Sequence, residues 1–271
     1  MILRIMVGAS IKYMSRLFKD GKAMFLAYDQ GLEHGPKDFN EKNYDPAYII
    51  DIALRNKFTG LIFHKGLAEK YHEHYSGRIP LIVKVNGKDS IAKGEPFSPL
   101  VCSVDYAVRL GADAIGYTLY VGSGLESQAM EDFRLVQEQA RDYGLPVIGW
   151  MYPRGQAVPN DIDPTIVAYG ARVGLELGAD VLKVKYTGSK ETFKRVVQMA
   201  GNAKVVCAGG LKTDPATFIQ QTRDILDVGA CGVAVGRNVW QSDRPDGIAR
   251  ALEELIFKNA TVKKAMEVMS L

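Results

Sequence analysis

Two lysines in one short apolar run are the residues of this sequence best suited to chemistry. Residues 181–186 read VLKVKY. Because side chains alternate along a strand, Lys183 and Lys185 share one face and their apolar neighbours share the other. If the apolar face packs on helices, both ammonium groups point into the protein, where burial and mutual repulsion favour the neutral amine. A neutral lysine attacks carbonyls, so the run predicts a Schiff-base nucleophile without choosing between the two lysines. A buried ion pair with inward carboxylates is the alternative.

Aromatic and acidic residues at the ends of two other apolar runs could assist such a lysine. Trp150 and Tyr152 share a face at the end of residues 147–152, and a tyrosine hydroxyl near a lysine can transfer protons. An inward aromatic pair can also be simple packing. Asp29 follows the first apolar run, and His34 lies one short loop later. Asp29 could stabilise the protonated lysine and the Schiff base or position a substrate hydroxyl; the alternative is an ordinary turn aspartate.

Three further polar residues are candidates of lower rank. Lys84 and Asn86 have inward parity on the third predicted strand, which makes Lys84 the alternative nucleophile and Asn86 a candidate ligand for a hydroxyl group. Arg154 comes just after the fifth predicted strand. It is a candidate for binding a phosphate, and a solvated loop arginine is the alternative.

Two glycine-containing turns late in the chain are typical of phosphate binding. The first is Ala208-Gly209-Gly210 and the second contains Gly236-Arg237. Glycine lets backbone N–H groups approach an anion closely, a following helix N-terminus adds a favourable dipole, and an arginine adds a bidentate donor. Each turn alone could be an ordinary tight turn, but two on neighbouring strands predict a phosphate site.

The elements that must position these residues are short apolar runs that alternate with helical patterns. The eight predicted strands are residues 24–28, 60–64, 81–85, 114–118, 147–152, 181–185, 205–208 and 232–235. Asp-Pro pairs at 45–46 and 163–164 mark helix starts. Similar Gly-containing joints at 110–113, 177–180 and 228–231 mark helix ends. A repeated βα unit predicts an α/β fold, a single (βα)8 TIM barrel. An open doubly wound sheet is the alternative, but no G-x-G-x-x-G follows the first strand.

Length and composition predict one domain over residues 1–271, with residues 1–20 forming a helix that covers the bottom of the barrel. The alternative for this segment is a partly disordered leader, and its interspersed charges argue against a signal peptide or membrane span. The 34 basic and 31 acidic residues are mixed, with a net charge of +3, so no nucleic-acid partner is expected. Cys102, Cys207 and Cys231 are widely spaced in apolar surroundings, which predicts reduced thiols and a cytoplasmic location.

The histidines do not form a recognisable metal motif. His72 and His74 diverge on a helix and are predicted to lie on a solvated surface, with a zinc site as the alternative. No C-x-x-C or H-E-x-x-H is present. We therefore expect neither a metal nor a cofactor.

Several sequence strings together resemble the archaeal-type class I fructose-1,6-bisphosphate aldolases from about residue 13 to 257. The strings are residues 27–36 (AYDQGLEHGP), 65–71 (KGLAEKY), 116–120 (GYTLY), 150–155 (WMYPRG), 182–188 (LKVKYTG) and 235–240 (VGRNVW). The resemblance implies a (βα)8 fold, metal-independent cleavage of fructose 1,6-bisphosphate to dihydroxyacetone phosphate and glyceraldehyde 3-phosphate, and a homo-oligomer of many subunits. From the charges of the N-terminal segment we also expect no membrane partner.

The resemblance also assigns roles that the residues alone leave open. It implies that Lys183 forms the Schiff base and that Tyr152 transfers protons, with Asp29, His34 and Trp150 lining the site. Gln30 and Ala208 depart from the family, which often has histidine and serine there, so a hydroxyl donor to phosphate is missing. Two alternatives stay open: a related Schiff-base synthase acting on another sugar phosphate, such as the aminodideoxyheptulosonate synthase branch, and a phosphosugar isomerase or binding barrel without a covalent step.

Overall fold

Eight short parallel strands close into a barrel in the computed structural model, which describes residues 13–271. Each strand pairs with the next in chain order, and the last pairs with the first. The strands are β1 (Ala23–Ala27), β2 (Gly60–His64), β3 (Leu81–Lys84), β4 (Ala114–Val121), β5 (Val147–Pro153), β6 (Val181–Val184), β7 (Lys204–Ala208) and β8 (Gly232–Val235). This is the predicted (βα)8 barrel.

Helices follow the strands and cover the outside of the barrel. They are α1 (Gly31–His34), α2 (Pro46–Arg55), α3 (Lys65–Lys70), α4 (His72–Tyr75), α5 (Val104–Arg109), α6 (Glu126–Asp142), α7 (Pro164–Glu176), α8 (Lys190–Met199), α9 (Pro215–Asp227), α10 (Arg237–Trp240), α11 (Pro245–Lys258) and α12 (Val262–Ser270). A 3₁₀ turn, Gly35–Asp38, follows α1. No helix within residues 13–271 is both long enough and apolar enough to cross a membrane.

The predicted start and stop signals act as expected. The Asp45 side chain accepts a hydrogen bond from Ala47 N–H at the start of α2, and Asp163 accepts from Thr165 N–H at the start of α7. After α5, α7 and α9 the chain turns through glycines with φ of +81°, +88° and +102°, a conformation that side chains with a Cβ rarely adopt. These joints set the spacing between helix and strand and so the position of each strand end.

Two apolar layers hold the barrel together. The inner layer is contributed by alternate strand residues, among them Phe25, Ile62, Ile82, Ile148 and Val206. The outer layer lies between strands and helices and contains the larger number of buried residues. Residues that alternate with the inner set therefore pack on helices, and the inner face is free to carry polar groups toward the strand ends.

The amino-terminal end of the barrel is closed by the chain just before β1. Residues 13–17 are helical, and Leu17 and Phe18 join the inner layer, with the Phe18 and Phe25 rings 5.9 Å apart. Arg16 forms an ion pair with Asp113 at the start of β4. Of the covering helix predicted over residues 1–20, residues 1–12 lie outside the described residues.

Candidate active site

A cavity of about 600 Å³ opens at the carboxyl ends of the strands, the end where barrels of this type carry their sites. It brings the sequence-predicted candidates together. Those that line it are Asp29, His34, Lys84, Trp150, Tyr152, Arg154, Lys183, Lys185, Ala208, Gly209, Gly210, Gly236 and Arg237. Residues predicted from strand parity and residues predicted from strand ends and turns thus line one cavity.

Lys183 lies deep in this cavity on β6, beside Trp150 of β5, with which it is in register. Its side chain is buried, and its Nζ lies 4.6 Å from the centre of the Trp150 ring. Burial lowers the pKa of Lys183 from 10.5 to about 8; the charge of Asp29 opposes this shift, whereas that of Lys84 adds to it. About a tenth of the amine is therefore neutral at pH 7, far more than for an ordinary lysine.

Lys185 also faces the cavity but lies nearer its mouth. Its ammonium forms an ion pair with Asp161 in the loop after β5 and lies 5.7 Å from the centre of the Tyr152 ring. Its side chain is 21% exposed. Both lysines face the cavity, as their parity predicted. Of the two, only Lys183 is buried. Lys185 has a carboxylate partner, as the ion-pair alternative predicted.

Lys84 on β3 supplies a second buried cation. Its Nζ is 3.5 Å from Asp29 Oδ2 and 3.8 Å from Glu33 Oε1, and it lies 5.9 Å from the centre of the Trp150 ring. The Trp150 ring is accommodated because residue 116 is glycine: a Cβ there would lie 2.5 Å from a ring carbon. The indole N–H of Trp150 is buried and has no hydrogen-bond partner within the described part of the chain.

Carboxylates at the end of β1 complete this charged centre. Burial opposes ionisation of Asp29, but the charges of Lys183 and Lys84 outweigh it and lower its pKa. The pKa of Glu33 is also lowered: its burial is outweighed by the charge of Lys84 and by a hydrogen bond donated by the Tyr120 hydroxyl. Both groups are therefore carboxylates at neutral pH.

Glu33 and Tyr120 were not predicted as site residues. Glu33 occurs in the 27–36 string, but the sequence alone does not show in which direction its side chain points from a short helix. Tyr120 was missed because β4 runs to Val121, beyond the predicted end at residue 118. The Arg154 guanidinium lies 4.9 Å from the centre of the Tyr120 ring, so the predicted arginine packs at the mouth next to this pair.

Tyr152 projects into the cavity from β5, two residues beyond Trp150. Burial raises its pKa well above the ordinary value, and the charges of Asp29 and Glu33 raise it further. The hydroxyl is therefore protonated in the free protein and can first act as a proton donor.

The turns after β7 and β8 lie side by side, as predicted. The Gly209 N–H donates to the Ala234 carbonyl at 3.2 Å, so it is engaged within the barrel, which corrects the expectation that it donates to phosphate. Gly210 has φ of +66°. Arg237 donates to the Gly210 carbonyl at 3.0 Å and lies 3.6 Å from Asp38. Asp38 also pairs with His34 at 2.8 Å.

Asn238 links these two turns and was not predicted. Its amide nitrogen donates to the carbonyls of Gly209 at 2.6 Å and Leu211 at 3.1 Å, and its oxygen accepts from Thr213 N–H at 3.0 Å. Asn238 thus holds the β7 turn against α10. Its signal in the sequence was only its place beside Arg237.

Two minor predictions have opposite outcomes. The Asn86 amide donates to the carbonyls of Ser98 and Thr118, and its oxygen accepts from Thr118 N–H. It is fully buried, so the prediction that it binds a substrate hydroxyl is wrong. His72 and His74 are exposed, as predicted. Within residues 13–271 no group of three or more His, Cys, Asp or Glu side chains could hold a metal ion; the three cysteines are free.

The comparisons with known proteins agree with this geometry. Residues 23–242 match the DeoC/LacD family of aldolases. A class 1 fructose-bisphosphate aldolase of Halobacterium salinarum is 45% identical over 254 residues, covering 93% of this chain and 97% of that protein. The corresponding protein of Thermoproteus tenax is 45% identical over 266 residues, covering 97% of this chain and all of that protein.

Solved structures give the same result. An archaeal fructose-1,6-bisphosphate aldolase whose catalytic lysine is covalently bound to the carbinolamine intermediate of the substrate superimposes with a TM-score of 0.88 at 46% identity, covering 92% of this chain and 99% of that one. A fructose-bisphosphate aldolase of Slackia heliotrinireducens gives 0.91 at 29% identity, covering 97% and 90%. The chain belongs to the DeoC/LacD family of aldolases and, within it, to the class 1 fructose-bisphosphate aldolases, as the sequence strings predicted.

Proposed function

We propose that this protein is a metal-independent aldolase that reversibly cleaves fructose 1,6-bisphosphate to dihydroxyacetone phosphate and glyceraldehyde 3-phosphate, with Lys183 as the Schiff-base nucleophile. The observation that carries the proposal is a buried lysine with a pKa lowered to about 8 inside a cavity bordered by glycine turns. Such a reaction belongs to glycolysis and gluconeogenesis. The similarity to class 1 aldolases at 45% identity supports the same activity.

Substrate binding uses the mouth of the cavity. Gly210 and Gly236 expose backbone to one phosphate, and Arg237 is close enough to add its guanidinium. Ala208 in the same turn offers no hydroxyl, so backbone groups carry more of the binding. The second phosphate is proposed to meet Arg154 and Lys185, two further cations that line the cavity near its mouth.

Bond formation begins when neutral Lys183 attacks the C2 ketone and gives a carbinolamine. Tyr152, protonated because of its raised pKa, delivers a proton to the departing hydroxyl, so that water leaves and an iminium forms. The cation of the iminium stabilises the resulting phenolate, and Asp29 balances the iminium charge. Lys183 thereby becomes an electron acceptor for the bond to be cleaved.

Cleavage follows as the Tyr152 phenolate accepts the proton of the C4 hydroxyl. The C3–C4 bond breaks, glyceraldehyde 3-phosphate leaves, and the electron pair passes into an enamine on Lys183. Tyr152 then gives its proton to the enamine carbon, which leaves a second iminium and a phenolate. Water adds to this iminium, the surplus proton returns to the Tyr152 phenolate, and the C–N bond breaks to release dihydroxyacetone phosphate and neutral Lys183. One hydroxyl thus serves successive acid and base steps without a net change in its protonation.

Other groups lining the cavity position the sugar. Trp150 offers a buried indole N–H without a partner, and the same holds for the side-chain nitrogen of Gln30 within the described residues. Each can donate to a substrate oxygen. His34, held by Asp38 at 2.8 Å, lies where a hydroxyl or phosphate would pass.

Borohydride reduction in the presence of fructose 1,6-bisphosphate tests this proposal. We expect a covalent sugar-phosphate adduct that peptide mass spectrometry locates on Lys183 and that is absent from Lys183→Met. Lys93→Met, which changes an exposed lysine, is the matched control and should keep both adduct and turnover. An adduct on Lys84 or Lys185 would reassign the nucleophile. Full turnover of Lys183→Met would favour a barrel without a covalent step.

Assays with other aldehydes decide substrate class. Cleavage of the bisphosphate should exceed condensation of a sugar phosphate with aldehydes other than glyceraldehyde 3-phosphate; the reverse would indicate the related synthase chemistry. We further propose a cytoplasmic homo-oligomer of many subunits, for which light scattering should give a mass several times that of one chain.

A further inference from the structure

Lys84 is a buried lysine to which the proposed reaction assigns no bond. It is 2% exposed at the end of β3, with Asp29 and Glu33 both within 4 Å of its ammonium. Its ammonium forms an ion pair with each of the two carboxylates. An amine held in two ion pairs is not free to attack a ketone, so the sequence-based view of Lys84 as the alternative nucleophile does not explain why it is there.

Counting charges shows what Lys84 does for its neighbour. With Lys183 protonated, two cations face the Asp29 and Glu33 carboxylates, and the cluster is neutral. Deprotonating Lys183 leaves one net negative charge. Without Lys84, the same proton loss would take the cluster from one net negative charge to two, which is less favourable in a buried site.

The other groups around Lys183 do not replace this charge. Those that face it from the packed strands are Asp29, Glu33, Lys84, Cys207, Trp150 and Tyr152. Burial raises the pKa of the Cys207 thiol to about 12, so it is neutral, and Tyr152 is protonated. Lys185, one residue beyond the end of β6, is paired with Asp161. Burial and the charge of Lys84 lower the pKa of His64, and Arg154 acts on Glu33 from the mouth of the cavity. Within the described residues Lys84 is therefore the cation that pairs with both carboxylates.

We propose that Lys84 is a positioning residue of the aldolase: its ammonium binds Asp29 and Glu33 and balances their charge, so that Lys183 can react as a neutral amine. The inference rests on the proposed function, because only covalent catalysis needs Lys183 uncharged. The same contact orients Glu33 to accept a hydrogen bond from the Tyr120 hydroxyl. The Tyr120 ring in turn lies against Arg154 at the mouth of the cavity. Lys84 thus connects the reacting amine with the substrate entrance.

The pH dependence of kcat/KM in charge variants tests this role, since its acid limb reports the free-enzyme group that must lose a proton. In Lys84→Met the limb should move to higher pH by about one unit or more. Activity near pH 7 should then fall about tenfold or more and largely recover at alkaline pH. Lys93→Met should keep the wild-type limb.

Glu33 provides the reciprocal test. Glu33→Gln removes a negative charge and leaves Lys84 in place, so its acid limb should move to lower pH. The double variant Lys84→Met/Glu33→Gln should return toward the wild-type limb, because one cation and one anion are removed together. A merely structural role for Lys84 would lower the rate equally at every pH.

Each outcome decides the inference. A limb that stays fixed in Lys84→Met overturns it, and if that variant does not fold, a fixed limb in Glu33→Gln overturns it equally. Borohydride trapping separates this failure from failure of the proposed function. If only the inference about Lys84 fails, wild-type protein still forms the adduct on Lys183. If no adduct forms with fructose 1,6-bisphosphate, the covalent mechanism itself is wrong.

Discussion

Burial makes Lys183 reactive and also makes the folded protein less stable at neutral pH. The pKa of this lysine is lowered to about 8, which means that the folded state disfavours the charged form relative to the unfolded chain. Below that pKa the folded protein carries the full unfavourable contribution. Between about pH 8 and 10.5 the unfolded chain binds more protons than the folded one, so this contribution is relieved as the pH rises.

Lys183→Met removes this titration. We expect the unfolding free energy of the wild type to rise relative to that of Lys183→Met by about 2 to 3 kcal/mol between pH 7 and pH 10. Urea unfolding of both proteins at the two pH values measures it, with Lys93→Met expected to follow the wild type. A difference that is the same at both pH values would contradict a buried lysine with a lowered pKa.

Tyr152→Phe keeps the aromatic ring and removes only the proton-transferring hydroxyl. We expect kcat to fall by about 10² to 10⁴, because both loss of water from the carbinolamine and cleavage of the C3–C4 bond need that group. Borohydride reduces an iminium and not a carbinolamine, so it should trap less adduct on Lys183 than in the wild type. The adduct that is trapped should have the mass of the intact hexose bisphosphate. Trapping of mainly triose phosphate in the variant would show that another group accepts the C4 proton.

Residue-level prediction from the sequence succeeded where alternation alone decides the outcome. Lys183, Lys185, Trp150 and Tyr152 were all placed on the inner face. Alternation does not give depth, so the ion pair between Lys185 and Asp161 could not be distinguished from a buried amine. The partners of Lys84 could not be predicted from the sequence either. One of them, Glu33, contacts Lys84 from a short helix whose orientation depends on tertiary packing.

Strand ends and the turns after them determine what reaches the cavity. The glycine joints allowed the order of strands and helices to be predicted from the sequence. Each joint needs a backbone angle that other residues rarely adopt, so its glycine marks the end of a helix. The end of β4 was predicted three residues too early, at residue 118. The apolar and aromatic run continues to Val121, where a Gly-Ser-Gly turn follows, and β4 pairs with β5 as far as Val121 and Pro153.

Asn238 connects the β7 turn with α10 by three hydrogen bonds. We expect Asn238→Ala to weaken substrate binding by about 1 to 3 kcal/mol, or roughly five- to 150-fold in KM, because the phosphate turn loses its fixed shape. The effect on kcat should be smaller, since Lys183 and Tyr152 are not touched. Steady-state kinetics measures both constants.

Asn202→Ala is the matched control for this prediction. Asn202 is an exposed asparagine in the turn before β7, at the opposite end of the strand from the phosphate turn, so its replacement should leave KM unchanged. An unchanged KM in Asn238→Ala would mean that the backbone of the turn keeps its shape without the amide.

Closure of the barrel depends on the seam between the first and last strands. Repeated βα units predicted a closed ring, but sequence alone did not show which contact closes it. At the seam, Ala23 of β1 is in register with Gly232 of β8, and Ala23 N–H donates to the Cys231 carbonyl at 2.9 Å. The segment of residues 17 and 18 packs directly beneath. Without this pairing β1 and β8 would each be an edge strand with a single neighbour.

Gly232 is the residue through which the whole molecule can be tested. Its φ is +151°, and a Cβ at this position would lie 1.8 Å from the Ala23 carbonyl oxygen, so alanine cannot be accommodated unless β1 and β8 separate. We expect Gly232→Ala to lose several kcal/mol, of the order of the larger effects seen for single substitutions. The loss should be cooperative, with hydrogen exchange rising in both β1 and β8.

Gly66→Ala is the matched control. Gly66 lies in α3 with no atom within 4 Å of the added Cβ, so this variant should be unchanged or slightly more stable, by about 0.5 to 1 kcal/mol. If Gly232→Ala unfolds at the wild-type denaturant concentration, the two strands do not form the close seam on which the position of Lys183, and with it the site, depends.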